Sequence, residues 1–378
     1  VTSVAAPTPT PAPTPSSNAQ FAAGTISVAE DAGSVTLTVQ RSGDNTQAAI
    51  VGFTTGDDSP FVNCITNTQN ASSRCDYLTR IDSISFAANV ASTTIEIPII
   101  DDLNVEGDEA FRVTLVNPSP GLGIIAPDRI TITITDNDTV APTTNPIDAA
   151  PFFVRQQYLD FLFRTPEADG LNAWIGVLNN CSDVNNNPTC DRITVSASFF
   201  GSEEFRVKGF FVFRYYRLTL ARIPTYNEMV ADLASVTALT GDERIAKQAA
   251  FANSWLSRPE VAAAFPDSLS PQAFVERLRL TPGVALTNEQ QLINDLTGGA
   301  KTRSQVLREV AESAEVQQMF FNEAFVAMQY FGYLRRDPEP GGFAAWLNVI
   351  NTTPNGERIM IDGFLNSVEY RNRFASTQ

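Results

Sequence analysis

Near residue 145 the hydrophobic pattern of this chain changes its period, and no single layer of secondary structure accommodates both halves. Before that point SVTLTVQR (34–41), AAIVGFTT (48–55), TTIEIPII (93–100), AFRVTLVN (110–117) and RITITITD (129–136) alternate apolar with polar residues and are rich in β-branched side chains. Alternation places every second side chain on one face, so each segment reads as a half-buried strand bounded by turn residues. Beyond the break, FVRQQYLDFLF, VFRYYRLTL, QAFVERLRL and SQVLREVAESAEVQQMFF carry apolar residues at i, i+3 and i+4, the spacing of one helix face. The expectation is a multidomain chain, all-β then all-α: an antiparallel sandwich of about seven strands over 21–139, a Pro/Thr/Asn-rich linker at 140–150 and a helical domain over 151–378.

Composition narrows the function. The 378 residues contain no histidine, which removes the usual general base and the commonest metal ligand and argues against an enzyme. The net charge of −16 argues against nucleic acid, whose phosphates need clustered Lys and Arg. Residues 21–139 hold 16 Asp and Glu against 5 Arg, an excess that suits calcium or simply a soluble surface. No apolar run approaches the ~20 residues of a membrane-spanning helix. The chain begins at Val1, as expected of a processed mature protein. Its four cysteines form two local pairs, Cys64/Cys75 and Cys181/Cys190, without the spacing of a zinc site. Two short disulfide loops in an oxidising, extracellular compartment fit this better than four unpaired thiols, although four cysteines allow three connectivities. Residues 1–20 are rich in Pro, Thr, Ala and Ser and read as an extended spacer or stalk.

The helical half repeats itself. YLDFLFRTPEADGLNAW (158–174) and YFGYLRRDPEPGGFAAW (330–346) share Tyr, aromatic, Leu, Arg, Pro, Glu, Gly, Ala and Trp at a constant offset of 172 residues. A shorter signature follows each copy, FFGSEEF (199–205) and FLNSVEY (364–370), with weaker versions at WLSRPEV (255–261) and VAESAEV (310–316), their last residues 56, 55 and 54 apart. Tyr216, Leu220, Arg222 and Pro224 match the first signature less fully, and Pro282 is a doubtful third counterpart. Four units of about 55 residues follow, as an open solenoid or a closed bundle. Aromatic residues at this spacing mostly fill cores. Arg164 and Arg336 have a choice of bridging Glu167 and Glu339 or a glycan. FVRQQYLDFLFRTPEADGLNAW resembles the repeat of the bacterial DUF4214 family, which implies a helical module of secreted and surface-layer-associated proteins and no known chemistry.

ISVAEDAGSVTLTVQRSG, IIDDLNVEGDEAFRVTLVN and ITITITDND resemble the Calx-beta domain through residues 21–138. The resemblance implies an immunoglobulin-like sandwich that in some relatives binds calcium at one end through clustered carboxylates, a hard cation taking six to eight oxygens. It maps the acidic positions onto Glu30, Asp76, Asp101, Asp102, Glu106, Glu109, Asp136 and Asp138. Asn137 departs from the pattern. The enlarged loop before Asp76, with Cys64 and Cys75, is expected either to close over the site or to displace Asp76 from it, and the acidic motifs have an alternative use as turn and capping residues. DVNNNP (183–188) echoes an EF-hand loop but has Pro188 at its glycine position and reads as a polar loop between Cys181 and Cys190.

Together these features point to a non-enzymatic secreted bacterial protein, a subunit of an extracellular filament, sheath or surface layer that self-associates into a homopolymer through its N-terminal segment, with VTSVAA (1–6) adding a strand to a neighbour. The rival is a calcium-stabilised adhesin presenting the helical domain to a cell-surface glycan or protein.

Overall fold

The period-two segments form strands and the period-3.6 segments form helices in the computed structural model, which describes residues 15–57, 64–65, 69–140, 142–237 and 241–375. Nine strands are present among them: β1 Ser17–Phe21, β2 Thr25–Ala29, β3 Ser34–Gly43, β4 Ala49–Gly56, β5 Ile81–Phe86, β6 Ser92–Pro98, β7 Glu109–Val116, β8 Leu122–Ile124 and β9 Arg129–Thr135. They make a four-stranded sheet, β6-β3-β1-β8, facing a five-stranded one, β2-β9-β7-β4-β5. Val35, Leu37 and Val39 of β3 pack against Phe111 and Val113 of β7 and Ile130, Ile132 and Ile134 of β9, so the alternation seen in the sequence is the inward face.

Two details depart from the expectation. Ser17–Gln20, assigned to the spacer, belong to β1, where Ala19 and Phe21 are buried. Residues 1–14, and with them the strand expected at VTSVAA, lie outside the described residues. Secondly, the chain's first strand is divided: β1 runs antiparallel to β3 and parallel to β8, whereas β2 lies parallel to β9 in the other sheet. A break at 22–24 thus lets one segment enter both sheets, between β3 and β8 in one and at the β9 edge of the other.

In the helical half the repeat has a physical content. A π-helical turn opens each full copy, at Tyr158–Leu162 and Tyr330–Leu334, and the next residue, Phe163 or Arg335, is left-handed, as is Ala221 in the partial copy. That turn aims the following arginine at two glutamates. Arg164 pairs with Glu167 at 2.5 Å and Glu204 at 2.9 Å; Arg222 with Glu228 and Glu260, both at 2.8 Å; Arg336 with Glu339 at 2.6 Å and Glu369 at 2.7 Å. Each guanidinium also lies over the ring of its own Tyr158, Tyr216 or Tyr330 at 5.0, 5.1 and 5.3 Å. Glu204, Glu260 and Glu369 are the penultimate residues of the second signature, so the two signatures are the halves of one clamp. In the remaining unit Glu315 accepts from the hydroxyl of Thr287 at 2.8 Å instead.

The first and last units meet directly. Phe161 packs edge-on to Tyr333 at 5.0 Å, and Arg358 pairs with Asp191 at 2.6 Å, so the units close into a bundle. Both disulfides form, Cys64–Cys75 and Cys181–Cys190, with Cα separations of 5.8 and 5.5 Å. Asp183 accepts from the amides of Asn185 and Asn186, making 181–190 a polar turn. The helical core extends into the sandwich: Leu78 and Ile100, which flank the acidic loops, belong to it.

Candidate metal centre

Strand alternation delivers carboxylates to one pole. In β7 the inward residues are Glu109, Phe111, Val113 and Leu115, so Glu109 sits where the apolar interior runs out. Glu30 opens a single 3₁₀ turn after β2, ended by Gly33 at φ 74°. Asp76 follows Cys75 in the loop before β5, and Asp102 and Glu106 lie in the segment between β6 and β7.

Two triads result. Glu30, Asp102 and Asp138 form one, and Asp76, Glu106 and Glu109 the other; in each, three ligand oxygens lie within 4.8 Å of one another. Oxygens on opposite sides of one calcium ion, at ligand distances of about 2.4 Å, have about that separation. The Asp102 amide donates to Glu30 Oε1 at 3.0 Å and the Asn104 amide to Asp102 Oδ1 at 2.7 Å. Asp102 is 1% exposed, yet its Oδ2 has no hydrogen-bond partner, and Asp138 Oδ2 is likewise buried without one. Two orphaned anionic oxygens in one triad are costly unless a cation serves them. With no sulfur or imidazole in the set, the donors fit a hard cation rather than zinc or copper.

Electrostatics agree with the geometry. Burial pushes the Glu30 carboxyl up to about 8, with repulsion from Asp138, Asp101 and Asp136 acting against the hydrogen bond from the Asp102 amide. Burial, then Asp76, Glu109, Glu30 and Asp136, pushes Glu106 up to about 10. Burial also holds Asp76 and Asp102 well above the carboxylate range, reinforced by Glu109 and Glu106 respectively. Carboxyls of one triad therefore act on the other, and the pole is one continuous field.

Six of the eight expected residues come together. Asp136 is turned away: Oδ2 accepts from the amides of Glu106 at 3.0 Å and Gly107 at 2.6 Å, and Oδ1 from Asp138 at 2.7 Å, so it caps the turn. Gly107, at φ 75°, provides the left-handed corner that turn needs. Asp101 stands outside both triads and accepts from the Asn137 amide group at 3.4 Å. The disulfide loop keeps Asp76 in the centre, where its carboxylate accepts from the Ser72 amide at 2.5 Å.

Sequence reasoning missed what covers this pole. The Leu103 amide donates to the Phe374 carbonyl at 2.8 Å, and Arg373 Nε to the Arg74 carbonyl at 2.6 Å. Arg335 Nη1 donates to the carbonyls of Ser73 and Tyr77 at 3.0 and 2.9 Å. Both arginines are held by Asp160, at 3.2 Å each, and all three side chains are at most 2% exposed. The signal was present as a difference between copies: at the 172-residue offset Asp160 stands opposite Gly332, and Arg335 opposite Phe163.

Residues 15–138 match the family model of the Calx-beta domain, and the N-terminal sandwich is a Calx-beta domain. Among known proteins, the sodium/calcium exchanger Calx of Drosophila melanogaster is 32% identical over 118 residues, which is 31% of this chain and 11% of the exchanger. Among solved structures, the apo-form Calx CBD1 domain is 31% identical, covering 32% of this chain and 98% of that one at a TM-score of 0.29. The calcium binding domain CBD12 of CALX1.1 is 32% identical, covering 32% of this chain and 46% of that one at a TM-score of 0.28.

Proposed function

We propose that this chain is a non-enzymatic, calcium-stabilised extracellular surface protein whose sandwich carries paired cation sites beneath the helical domain. Glu30, Asp102 and Asp138 would hold one ion and Asp76, Glu106 and Glu109 a second. Calcium supplies the positive charge that lets these six carboxyls, five buried and Asp138 half-buried, ionise together. The chain's own residues do the rest: Asp136 and Gly107 shape the ligand loop, the Cys64–Cys75 disulfide anchors the loop bearing Asp76, and Arg335 and Arg373 fix the same loop from the helical side. The carrying observation is Asp102 Oδ2, buried without a partner inside a carboxylate triad. The match of this stretch to a sodium/calcium exchanger supports calcium as the ion. Two disulfides support an oxidising compartment.

The helical half is, in this reading, a DUF4214-type module, supported by the arginine clamp that its repeated residues build. A homopolymer joined through the N-terminal segment rests on residues 1–14, which lie outside the described residues; the surface-module reading rests on the carboxylate triads. Calorimetric titration of the chelator-stripped chain tests it. Two calcium ions per chain, with a rise in the thermal midpoint, are expected, whereas no heat and no stabilisation at millimolar calcium would overturn the reading.

A further inference from the structure

On a different set of elements from the acidic pole, the helical domain gathers positive charge in one cleft. A cleft of about 610 Å³ opens between helices Glu203–Val207, Gly209–Leu220, Gly241–Trp255 and Arg303–Glu312, and its walls carry Arg206, Arg214, Arg244 and Arg308 against only Glu203 and Glu312. Of these, Arg308 is engaged, donating to Glu312 at 2.9 Å and Gln248 at 3.2 Å. Among the described residues Arg206 and Arg244 make no ion pair.

Arg214 is the telling side chain. It is 4% exposed, lines the cleft and, among the described residues, has no ion pair; its Nε is buried with no hydrogen-bond partner there. The guanidinium carbon lies over the Phe210 ring, 4.4 Å from its centroid, a contact that gives Nε no hydrogen-bond acceptor. Burial lowers its pKa to about 10, so the charge persists at neutral pH. Beside it the Tyr215 hydroxyl is also buried without a partner. A buried guanidinium without an ion-pair partner destabilises the folded chain unless something complementary meets it. A planar fork of N–H donors is complementary to a carboxylate or sulfate, which it binds through two parallel hydrogen bonds.

We infer that this cleft is a binding site for an oxyanion, a carboxylate or sulfate borne on a small acidic molecule of short-oligosaccharide size, with Arg214 as the anchoring residue and Arg206 and Arg244 as the flexible rim. The volume lies within the range of about 300–1,000 Å³ typical of small-molecule sites. This site is independent of the calcium reading, and the test keeps calcium constant and saturating.

The full chain is titrated with a uronate trisaccharide, a sulfated disaccharide, inorganic sulfate and a neutral trisaccharide, by calorimetry and by thermal shift. At least one acidic saccharide should bind and the neutral one should not; the stronger of the two identifies the source of the oxyanion, and sulfate binding as tightly as either assigns the cleft to the free ion. Arg214→Met should raise the thermal midpoint of the unliganded chain, by removing an unpaired buried charge, and abolish the ligand-induced shift. Arg244→Ala, on the accessible rim, should fold normally and weaken binding several-fold. The inference is overturned if none of the acidic probes binds, or if Arg214→Met and Arg244→Ala both bind as the parent does.

Discussion

Asp102 is the side chain whose chemistry most needs a partner that the chain does not supply. One of its oxygens is satisfied by the Asn104 amide and the other by nothing, in a triad of like charges. Asp102→Asn should therefore weaken calcium binding at least tenfold by calorimetry. In chelator it should raise the unfolding midpoint, because the amide adds a donor among carboxylates; relief of one orphaned buried group is worth about 1–3 kcal/mol. Acidity provides a second check. Glu30 keeps its proton to about pH 8 and Glu106 to about pH 10 in the folded, metal-free chain. An unfolded glutamate releases its proton near pH 4.3, so between these values the folded state binds more protons. Metal-free stability then falls as pH rises through that window, and it is greatest on the acid side. Saturating calcium should flatten the slope, since the ion displaces those protons from the folded state and the unfolded carboxylates hold almost none above about pH 5. Chemical denaturation from pH 5 to pH 9, with calcium or chelator, reads both slopes, and parallel slopes would remove the cation from the account. The acidic positions themselves were legible in the sequence. What separates Asp136, turned to backbone amides, from Asp138, turned inward, is a torsion that no residue type announces.

At the scale of elements, the repeat was legible as a period but not as a device. Its arginines recur because each joins a glutamate of its own turn to one in the signature that follows, and its glycines recur because the same site has no room. A methyl group on Gly170 would meet the Tyr158 hydroxyl and the Glu167 carboxylate, and one on Gly342 would meet their counterparts, Tyr330 and Glu339. Gly176 in the same helix, Ala168–Asn179, has open space around it. Gly176→Ala should accordingly stabilise the protein by up to about 1 kcal/mol, the ordinary helix propensity gain. Gly170→Ala should destabilise it by about 1–3 kcal/mol through overpacking. Opposite signs for two identical substitutions six residues apart, measured as denaturant midpoints, would establish the clamp; equal signs would refute it. Strands β3, β4, β6, β7 and β9 were legible from alternation; β2, β5 and β8 were not singled out by it, and β1 was hidden because Ser17–Gln20 continue a Pro/Thr-rich run and so lack the flanking contrast that marks a strand. In the third unit, where Thr287 serves Glu315, the motif had drifted too far for spacing alone to recover the contact.

At the scale of the whole molecule, the two domains meet on the loops that carry the candidate calcium ligands. Residues 72–77 and 101–106 contribute Asp76, Asp102 and Glu106 to the triads while accepting from Arg335 and Arg373 or donating to Phe374. Glu369 adds a second link, pairing with Arg336 of the repeat and with Arg74 of the sandwich loop. A cation that orders these loops must favour the docked arrangement, and a docked helical domain must favour the cation by the same free energy, because binding linkage is reciprocal. Couplings of this kind are typically about 1–3 kcal/mol, or roughly 5–150-fold in affinity. Chelation should therefore increase amide hydrogen exchange at 332–336 and 371–375, residues that contain none of the proposed ligands. Arg335→Gln, which removes the charge holding the Ser73 and Tyr77 carbonyls, should lower calcium affinity within that range. Since this substitution also leaves the buried Asp160 with one arginine fewer, Glu369→Gln serves as the milder companion, loosening the same loop from a partly exposed site. Retained calcium affinity in both variants, together with exchange at 371–375 that ignores chelator, would mean that the helical domain merely covers the pole without sensing it.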